Sequence, residues 1–566
     1  MIINPYIFSS PTQYYLNPLN LNVDAPEMDG VGLVSYDNKV ITTGGWNPIV
    51  GVFTPGPTTN KQWESTDDGK NYTEVATAPF IPRHIHFSLV LNGKIYVGGG
   101  LGNALIAIKD VWSYDTINGW VQTTADWGAG VGNRFFTTSC VHNGKILIAG
   151  GQDDLSGTTM FTDIWETADG VIFSKLCDLP VTLTDFSSGV IYSFNNKLYL
   201  VGGAKYIGGT NVNNNDYTYV SSDNGATWTN LGAVPTPMTG IFQNGCVWDG
   251  KMWYLCGSKA AVNTKGLYYS TDGITWTALY DAPTARHATG MTVHNDKLMF
   301  FAGNFWDDSW CIQKETVRPI GYISPLLQTW YNSLIVKTSP ALTTKLSVFM
   351  DGLDSDGVLA DSYLIVPIGF GLETNEQRLR PLKTTSGDDL VAVNSPVIAS
   401  TGITGNGSTS YVDLKWNMAV DAVATQNNLS IAAWVKDDIA ENKVEIGAFS
   451  GPNQSFLSRK FTDNNVYFSL NDNSNGFYGF DDDPDFYFIS TNRISATQRN
   501  YLRGFRVVEQ VSNSVPIVNF DFYGCGGNNA GTPALFSTKE QRLFFIGNGA
   551  ARTWQLRQRL KYLDLP

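Results

Sequence analysis

The chain carries little charge and no basic excess. Of its 566 residues, 16% are Asp, Glu, Lys or Arg, and the formal net charge is −13. No basic block stands out, which argues against nucleic-acid binding; the acidity itself implies only solubility. No run approaches the roughly 18 apolar residues of a membrane span, so membrane insertion is not expected. The opening residues, MIINPYIFSSPTQYY, lack a basic region and an apolar core, which argues against a Sec signal. The six cysteines (Cys140, Cys177, Cys246, Cys256, Cys311 and Cys525) show no C-x-x-C spacing. They fit neither a zinc site nor a dense disulfide framework, and read as reduced, buried thiols of a protein made in a cytoplasm. No H-E-x-x-H, P-loop, Gly-x-Ser-x-Gly or Rossmann fingerprint is present. No catalytic residue is singled out, and no required cofactor is expected.

What the chain has in quantity is glycine, with 56 residues, and aromatics, at 13%. That composition fits turn-rich β structure with aromatic rings filling sheet layers. The length exceeds one ordinary core, so two or more domains are expected. One phrase recurs six times: YDNKVITTGG from Tyr36, LNGKIYVGGG from Leu91, HNGKILIAGG from His142, FNNKLYLVGG from Phe194, WDGKMWYLCG from Trp248 and HNDKLMFFAG from His294. Each copy is a two-residue turn, a Lys, alternating apolar residues and a Gly. The turns suit type I′ hairpins. The copies recur at about 50-residue intervals, the length of four short strands.

A second phrase follows the first: STDDGKNY from Ser65, TADGVIF from Thr167, SSDNGATW from Ser221 and STDGITW from Ser270, with YDTINGW from Tyr114 in its place in the second unit. The Gly-Gly strand ends with later Trp resemble kelch repeats, and Ser-x-Asp-(x)-Gly-x-x-Trp resembles the Asp-box of sialidase-type propellers. Both resemblances imply a six-bladed β-propeller. The sixth unit, from Thr284, supplies only three strands. The N-terminal segment from about Tyr14 to Val23 is expected to pair into it as the missing outer strand and close the ring.

The array holds three arginines, Arg83, Arg134 and Arg286, each eleven residues before a repeat Lys. In kelch propellers this position looks toward the channel mouth. The resemblance implies a cationic cup for carboxylates or phosphates, suited to guanidinium forks. The alternative is that each Arg pairs with a neighbouring blade's carbonyls or Asp. All five histidines lie in this half, and His84, His142, His287 and His294 follow repeat register. They read as parts of the repeat; a metal site would need ligands from several blades.

From about Ile320 the repeat vanishes. SPLLQTWYNSLIVK and SPALTTKLSVFMDGLDSDGV have helical spacing behind Ser-Pro starts, and DSYLIVP reads as a strand. The later order of motifs resembles laminin-G/concanavalin-like jelly-rolls: Gly405, Gly407 and Tyr411, then Trp434, then Phe545 and Gly547. With its connector it also resembles C-terminal modules of bacteriophage tail and fibre proteins. The expected fold is therefore mainly β: an N-terminal segment (1–13), a six-bladed propeller (14–318), a connector with helices (319–392) and a lectin-like β-sandwich (393–566). Such sandwiches often bind glycans. Asp481, Asp482, Asp483, Phe486 and Tyr487 form an acidic, aromatic loop that can hold Ca²⁺ and stack a sugar, the alternative being an ordinary solvated loop.

These resemblances imply a non-enzymatic virion component on the particle exterior, in a tail or fibre. Its expected partners are other virion proteins and a host-surface glycan or protein, and a homo-oligomer such as a trimer is expected. Two alternatives accompany this reading. One is a sialidase-like, glycan-active enzyme on the propeller, anchored by the three arginines; the other is a structural spacer.

Overall fold

Alternating apolar residues behind each tight turn direct the repeats into antiparallel hairpins. The structure is a computed structural model that describes residues 13–20, 25–49, 52–53, 56–103, 105–207, 210–212, 215–235, 238, 244–255, 257–259, 262–279, 285–315, 318, 322–370, 372, 374–421, 427–436, 441–450, 453–458, 465–472, 476–479, 488–493, 495–503, 506–511, 519–530, 532–548 and 556. It divides into two compact units, one of residues 11–315 and one of residues 1–10 with 316–566.

The first unit contains six four-stranded antiparallel sheets. Both turn residues have positive φ in each of the six hairpins, as at Asn92 (49°) and Gly93 (72°) or Asn295 (46°) and Asp296 (55°). This is type I′ geometry, whose twist matches that of the flanking strands. The inner strands are Gly32–Tyr36, Phe87–Leu91, Thr138–His142, Val190–Phe194, Asn244–Trp248 and Gly290–His294. Each touches the next and the last touches the first, so the sheets form a closed six-bladed propeller. Residues of all six inner strands line a central channel of about 390 Å³.

Each blade meanders outward, so its connections alternate between two faces. The I′ hairpins and the Ser-x-Asp turns share one, the turn face. The links from second to third strand and from blade to blade share the other, the loop face. The Ser-x-Asp turns are self-contained. Ser221 Oγ donates to Asp223 Oδ1 (2.7 Å), Gly225 N–H donates to Ser221 Oγ (2.7 Å), and Thr227 N–H donates to Asp223 Oδ1 (2.9 Å).

The ring is closed by the N-terminal strand Gln13–Asn20, which pairs antiparallel with Ser309–Glu315 as the outermost strand of blade six. Leu16 lies opposite Ile312, and both are buried. Tyr14 packs on Trp248, Trp253 and Tyr269 of blade five, and its hydroxyl donates to Asp249. The seam between blades one and six is apolar, with Val40, Trp63 and Tyr72 against Met299, Phe301 and Cys311.

The second unit begins with two helices, α1 (Pro325–Ser333) and α2 (Pro340–Ser355). Ser324 and Ser339 cap them and a Pro occupies the first turn of each, as Ser-Pro starts dictate. Leu342, Leu346, Phe349 and Leu353 form the buried stripe of α2. Two nine-stranded sheets follow. Leu364, Ile431, Phe544 and Ile546 of one and Val412, Trp416, Ile446 and Phe468 of the other share one core, that of a β-sandwich. Ser362–Val366, which the sequence places in the connector, is a sheet member hydrogen-bonded between Lys383–Thr384 and Glu540–Gly547. Its five consecutive buried residues suit a strand covered on both faces. Among the described residues no helix is long and apolar enough to cross a membrane.

Two predictions follow from the ring. Removing residues 1–20 should abolish cooperative melting of the propeller, and Tyr14→Ala alone should cost about 3–5 kcal/mol in denaturant titrations. Removing residues 1–12 should leave the propeller's transition unchanged. The second concerns acid. The Thr227 hydroxyl and N–H, with the Ser221 hydroxyl, hold the Asp223 carboxyl down at about 2. A depressed carboxyl contributes stability above its unfolded value near 3.9 and loses it as pH falls through its folded value. Asp223→Asn should therefore lower stability above about pH 4 and converge on the parent protein near pH 2.

Candidate functional site at the channel mouth

Each inner strand is preceded on the loop face by a three-residue segment: Met28-Asp29-Gly30, Arg83-His84-Ile85, Arg134-Phe135-Phe136, Phe186-Ser187-Ser188 and Arg286-His287-Ala288. The corresponding segment of blade five lies outside the described residues. The third residue of each is left-handed, at φ 65° for Gly30, 52° for Ile85, 59° for Phe136, 50° for Ser188 and 50° for Ala288. That conformation is rare for side-chain-bearing residues, and most of all for a β-branched one such as Ile85. It serves a belt of hydrogen bonds around the mouth. Gly30 N–H donates to Ala288 O (2.9 Å), Ile85 N–H to Gly30 O (2.8 Å) and Ser188 N–H to Phe136 O (2.7 Å). Strain held this way costs on the order of 1–3 kcal/mol per residue and collects at ligand sites.

The first residues of these segments include the three arginines. Each guanidinium is fully buried and tied within its own blade. Arg83 lies 2.7 Å from Asp110, Arg134 2.7 Å from Asp163 and Arg286 2.9 Å from Asp308. The Nη1 groups also donate to Gly99 O, Gly150 O and Ala302 O. The other oxygen of each carboxylate accepts from Trp112, Trp165 or Trp310 Nε1. The cationic charge that the kelch resemblance assigns to the mouth is thus neutralised inside each blade, and the partner is the blade's own Asp rather than a neighbour's. The arrangement staples the end of the second strand to the start of the third.

The second and third residues of the segments, with the second-to-third-strand loops, enclose a pocket of about 300 Å³. Asp29, Trp46, His84, Ile85, Phe136, Tyr206, His287 and Ala288 line it, with Leu101, Leu105 and Leu155. Ile85 and Ala288 also line the channel, so the two spaces meet at the belt. Its polar centre joins the first blade to the last: Asp29 Oδ2 lies 2.9 Å from His287 Nε2, and His287 Nδ1 lies 2.8 Å from Asn263 Oδ1. Burial opposes a charge on His287, but the Asp29 carboxylate and its hydrogen bond outweigh it and raise the imidazole's pKa. Asp29 is 5% exposed, and its Oδ1 has no hydrogen-bond partner among the described residues. A bare buried carboxylate oxygen is costly unless something fills the space beside it.

The walls are aromatic. Trp46 stacks on His84 with ring centroids 5.8 Å apart, and Phe136 meets Tyr206 edge-on at 5.4 Å. Burial pushes the His84 pKa down to about 4, so its ring is neutral at pH 7. Burial, and then the Asp29 charge, raise the pKa of Tyr206, which keeps its proton.

His84 and His287, which repeat register alone marks as structural, are therefore pocket residues, and Asp29 joins them. The available signal was the variable chemistry (Asp29, His84, Phe135, Ser187, His287) at one fixed register of the loop face. His142 and His294 sit on the turn face and do bridge blades, His142 to Ser193 Oγ and His294 to Ser35 Oγ, both at 2.8 Å. Asp481, Asp482, Asp483, Phe486 and Tyr487 lie outside the described residues. Among the described residues no group of three or more His, Cys, Asp or Glu is placed to hold a metal.

No protein-family model matches the chain. A curated protein of Escherichia coli O6:H1, N-acetylneuraminate epimerase 1, is 25% identical over 181 residues, covering 31% of this chain and 42% of that protein. The chain thus spans less than half the length of this curated relative. A solved structure described as "Structure of YjhT" is covered along its full length by 53% of the chain, at TM-score 0.42 and 14% identity. The curated relative is named as an epimerase, and this finding corrects two expectations, that of a bacteriophage tail or fibre protein and that of a chain without enzymatic activity. The pocket's polar groups come one or two at a time from separate blades, so no contiguous sequence motif marks them.

The staples carry a prediction. Asp308→Ala leaves Arg286 buried beside an empty partner position and should cost about 3–5 kcal/mol in chemical denaturation. Replacing Arg286 and Asp308 together by apolar residues of similar volume should cost less than the single change.

Proposed function

We propose that the propeller is a glycan-active enzyme that epimerises a small sugar in the mouth pocket. The observation that carries this reading is the Asp29–His287 pair, with Asp29 Oδ1 bare, among aromatic walls. The epimerase relative supports it. Epimerisation of a free sugar at its anomeric carbon removes the proton of the anomeric hydroxyl and breaks the ring C–O bond. The ring oxygen gains a proton, the freed carbon rotates, and the ring recloses on its other face. Asp29 accepts the first proton, held in place by His287, and Tyr206 gives one to the ring oxygen. Hydrolysis of a glycosidic bond, as a sialidase performs it, fits less well. It calls for two flanking carboxyl groups or an equivalent nucleophile, and the described lining holds one carboxylate, Asp29.

The test is anomer exchange by NMR on free sugars, with N-acetylneuraminate and neutral hexoses in the panel. Asp29→Asn should reduce the exchange rate by about 10²–10⁴-fold, with circular dichroism reporting an intact propeller. Absence of exchange on every sugar, with the protein folded, contradicts the reading.

A further inference from the structure

The nature of the sugar can be read from the pocket's unmet hydrogen-bonding capacity; this inference rests on the mouth pocket being a sugar site. The curated relative is named for N-acetylneuraminate, a sugar that bears a carboxylate. Proteins hold such a group with an Arg fork or a Lys. No Arg or Lys lines the pocket among the described residues. The propeller's three arginines pair with Asp110, Asp163 and Asp308 and none of them lines the pocket. The His287 imidazole has its Nε2 on Asp29 and its Nδ1 on Asn263.

The lining does offer two acceptors. Asp29 Oδ1 is buried without a partner. His84 Nδ1 lies 3.0 Å from Leu101 O, and a carbonyl only accepts, so the proton sits on Nδ1. The ring is neutral, which leaves Nε2 as an acceptor. Two acceptors match hydroxyl donors, and a carboxylate placed beside them meets no Arg or Lys among the described lining residues.

We propose that the mouth pocket selects a neutral sugar, a hexose or N-acetylhexosamine, whose hydroxyls donate to Asp29 Oδ1 and His84 Nε2, and that it discriminates against carboxylated sugars. At about 300 Å³ the space is at the small end of ligand pockets, which suits a single ring rather than an oligosaccharide.

The experiment is titration of the full chain with glucose, galactose, N-acetylglucosamine and N-acetylneuraminate, followed by calorimetry or ligand-observed NMR. At least one neutral sugar should bind at least ten-fold more tightly than N-acetylneuraminate. Asp29→Asn should weaken neutral-sugar binding and narrow that gap. Because Asp29→Asn disturbs a buried pair, a second variant is placed at the rim. Leu105 is 59% exposed and lines the pocket, so Leu105→Lys adds a cation without touching the core. It should improve N-acetylneuraminate binding several-fold relative to the neutral sugars; an unchanged ratio in a folded Leu105→Lys protein counts against the proposal. Tighter binding of N-acetylneuraminate than of every neutral sugar by the parent protein overturns the proposal but leaves the sugar site standing. Binding of none of the four overturns both.

Discussion

The antiparallel pairing of Gln13–Asn20 with Ser309–Glu315 is the constraint on which the propeller depends. A row of sheets has two free ends, and each exposes unpaired backbone and one apolar face. Here the chain's first strand completes its last blade, so the covalent order of the array is locked to its circular order. The same seam makes the polar centre of the mouth. Asp29 belongs to blade one and His287 to blade six, and their contact exists only because the ring closes. Gly30 N–H on Ala288 O and Gly303 N–H on Met28 O hold the seam on the loop face. On the turn face Lys297 and Asn295 both reach Asp68. Closure and site are therefore one structural event.

The two faces divide the labour for a reason rooted in turn chemistry. An I′ hairpin of two residues and a Ser-x-Asp turn have almost no freedom in length or backbone, so the turn face repeats itself blade after blade. The second-to-third-strand links are free to vary, from the long segment 44–60 in blade one to the short 302–308 in blade six. Trp46, Leu105, Leu155 and Tyr206 all come from such links. The belt of left-handed residues beneath them and the Arg–Asp–Trp staples beside them fix the floor against which these variable loops close. Rigid floor and variable walls are the usual arrangement of a binding site on a repetitive scaffold.

Sequence periodicity reveals the scaffold better than the site. The six Lys-apolar-Gly phrases are local patterns, and strand alternation and turn type are decided within a few residues. The N-terminal closure was legible because blade six was one strand short. The arginines show where local reading stops. Their repeat position was evident, but the partner lies beyond a whole hairpin, at Asp110, Asp163 or Asp308. The clue was internal to the repeats: blades with Arg carry Asp-x-Trp, whereas the others carry Lys61, Tyr217 and Gly266 at the Asp position. Ser362–Val366 is legible as a strand, but its membership of the sandwich sheet is not, because its neighbour Glu540–Gly547 lies near the far end of the chain.

The pocket was hidden by a subtler effect. Repeat register explains why His84 and His287 are where they are. Register, however, fixes only the backbone address. On the loop face that address is the channel rim, where a side chain that leaves the repeat's consensus has no packing duty to account for it. Asp29 with one oxygen bare, beside a His held from both nitrogens, cannot be accounted for by stability alone, since an unpaired buried carboxylate oxygen costs free energy that an apolar residue at the same register would avoid. The propeller carries that cost beside left-handed Ile85, Phe136 and Ala288, all of which line the mouth pocket. Strain and an unmet acceptor thus converge on one aromatic-walled space, and it is on that convergence that the proposed sugar site rests.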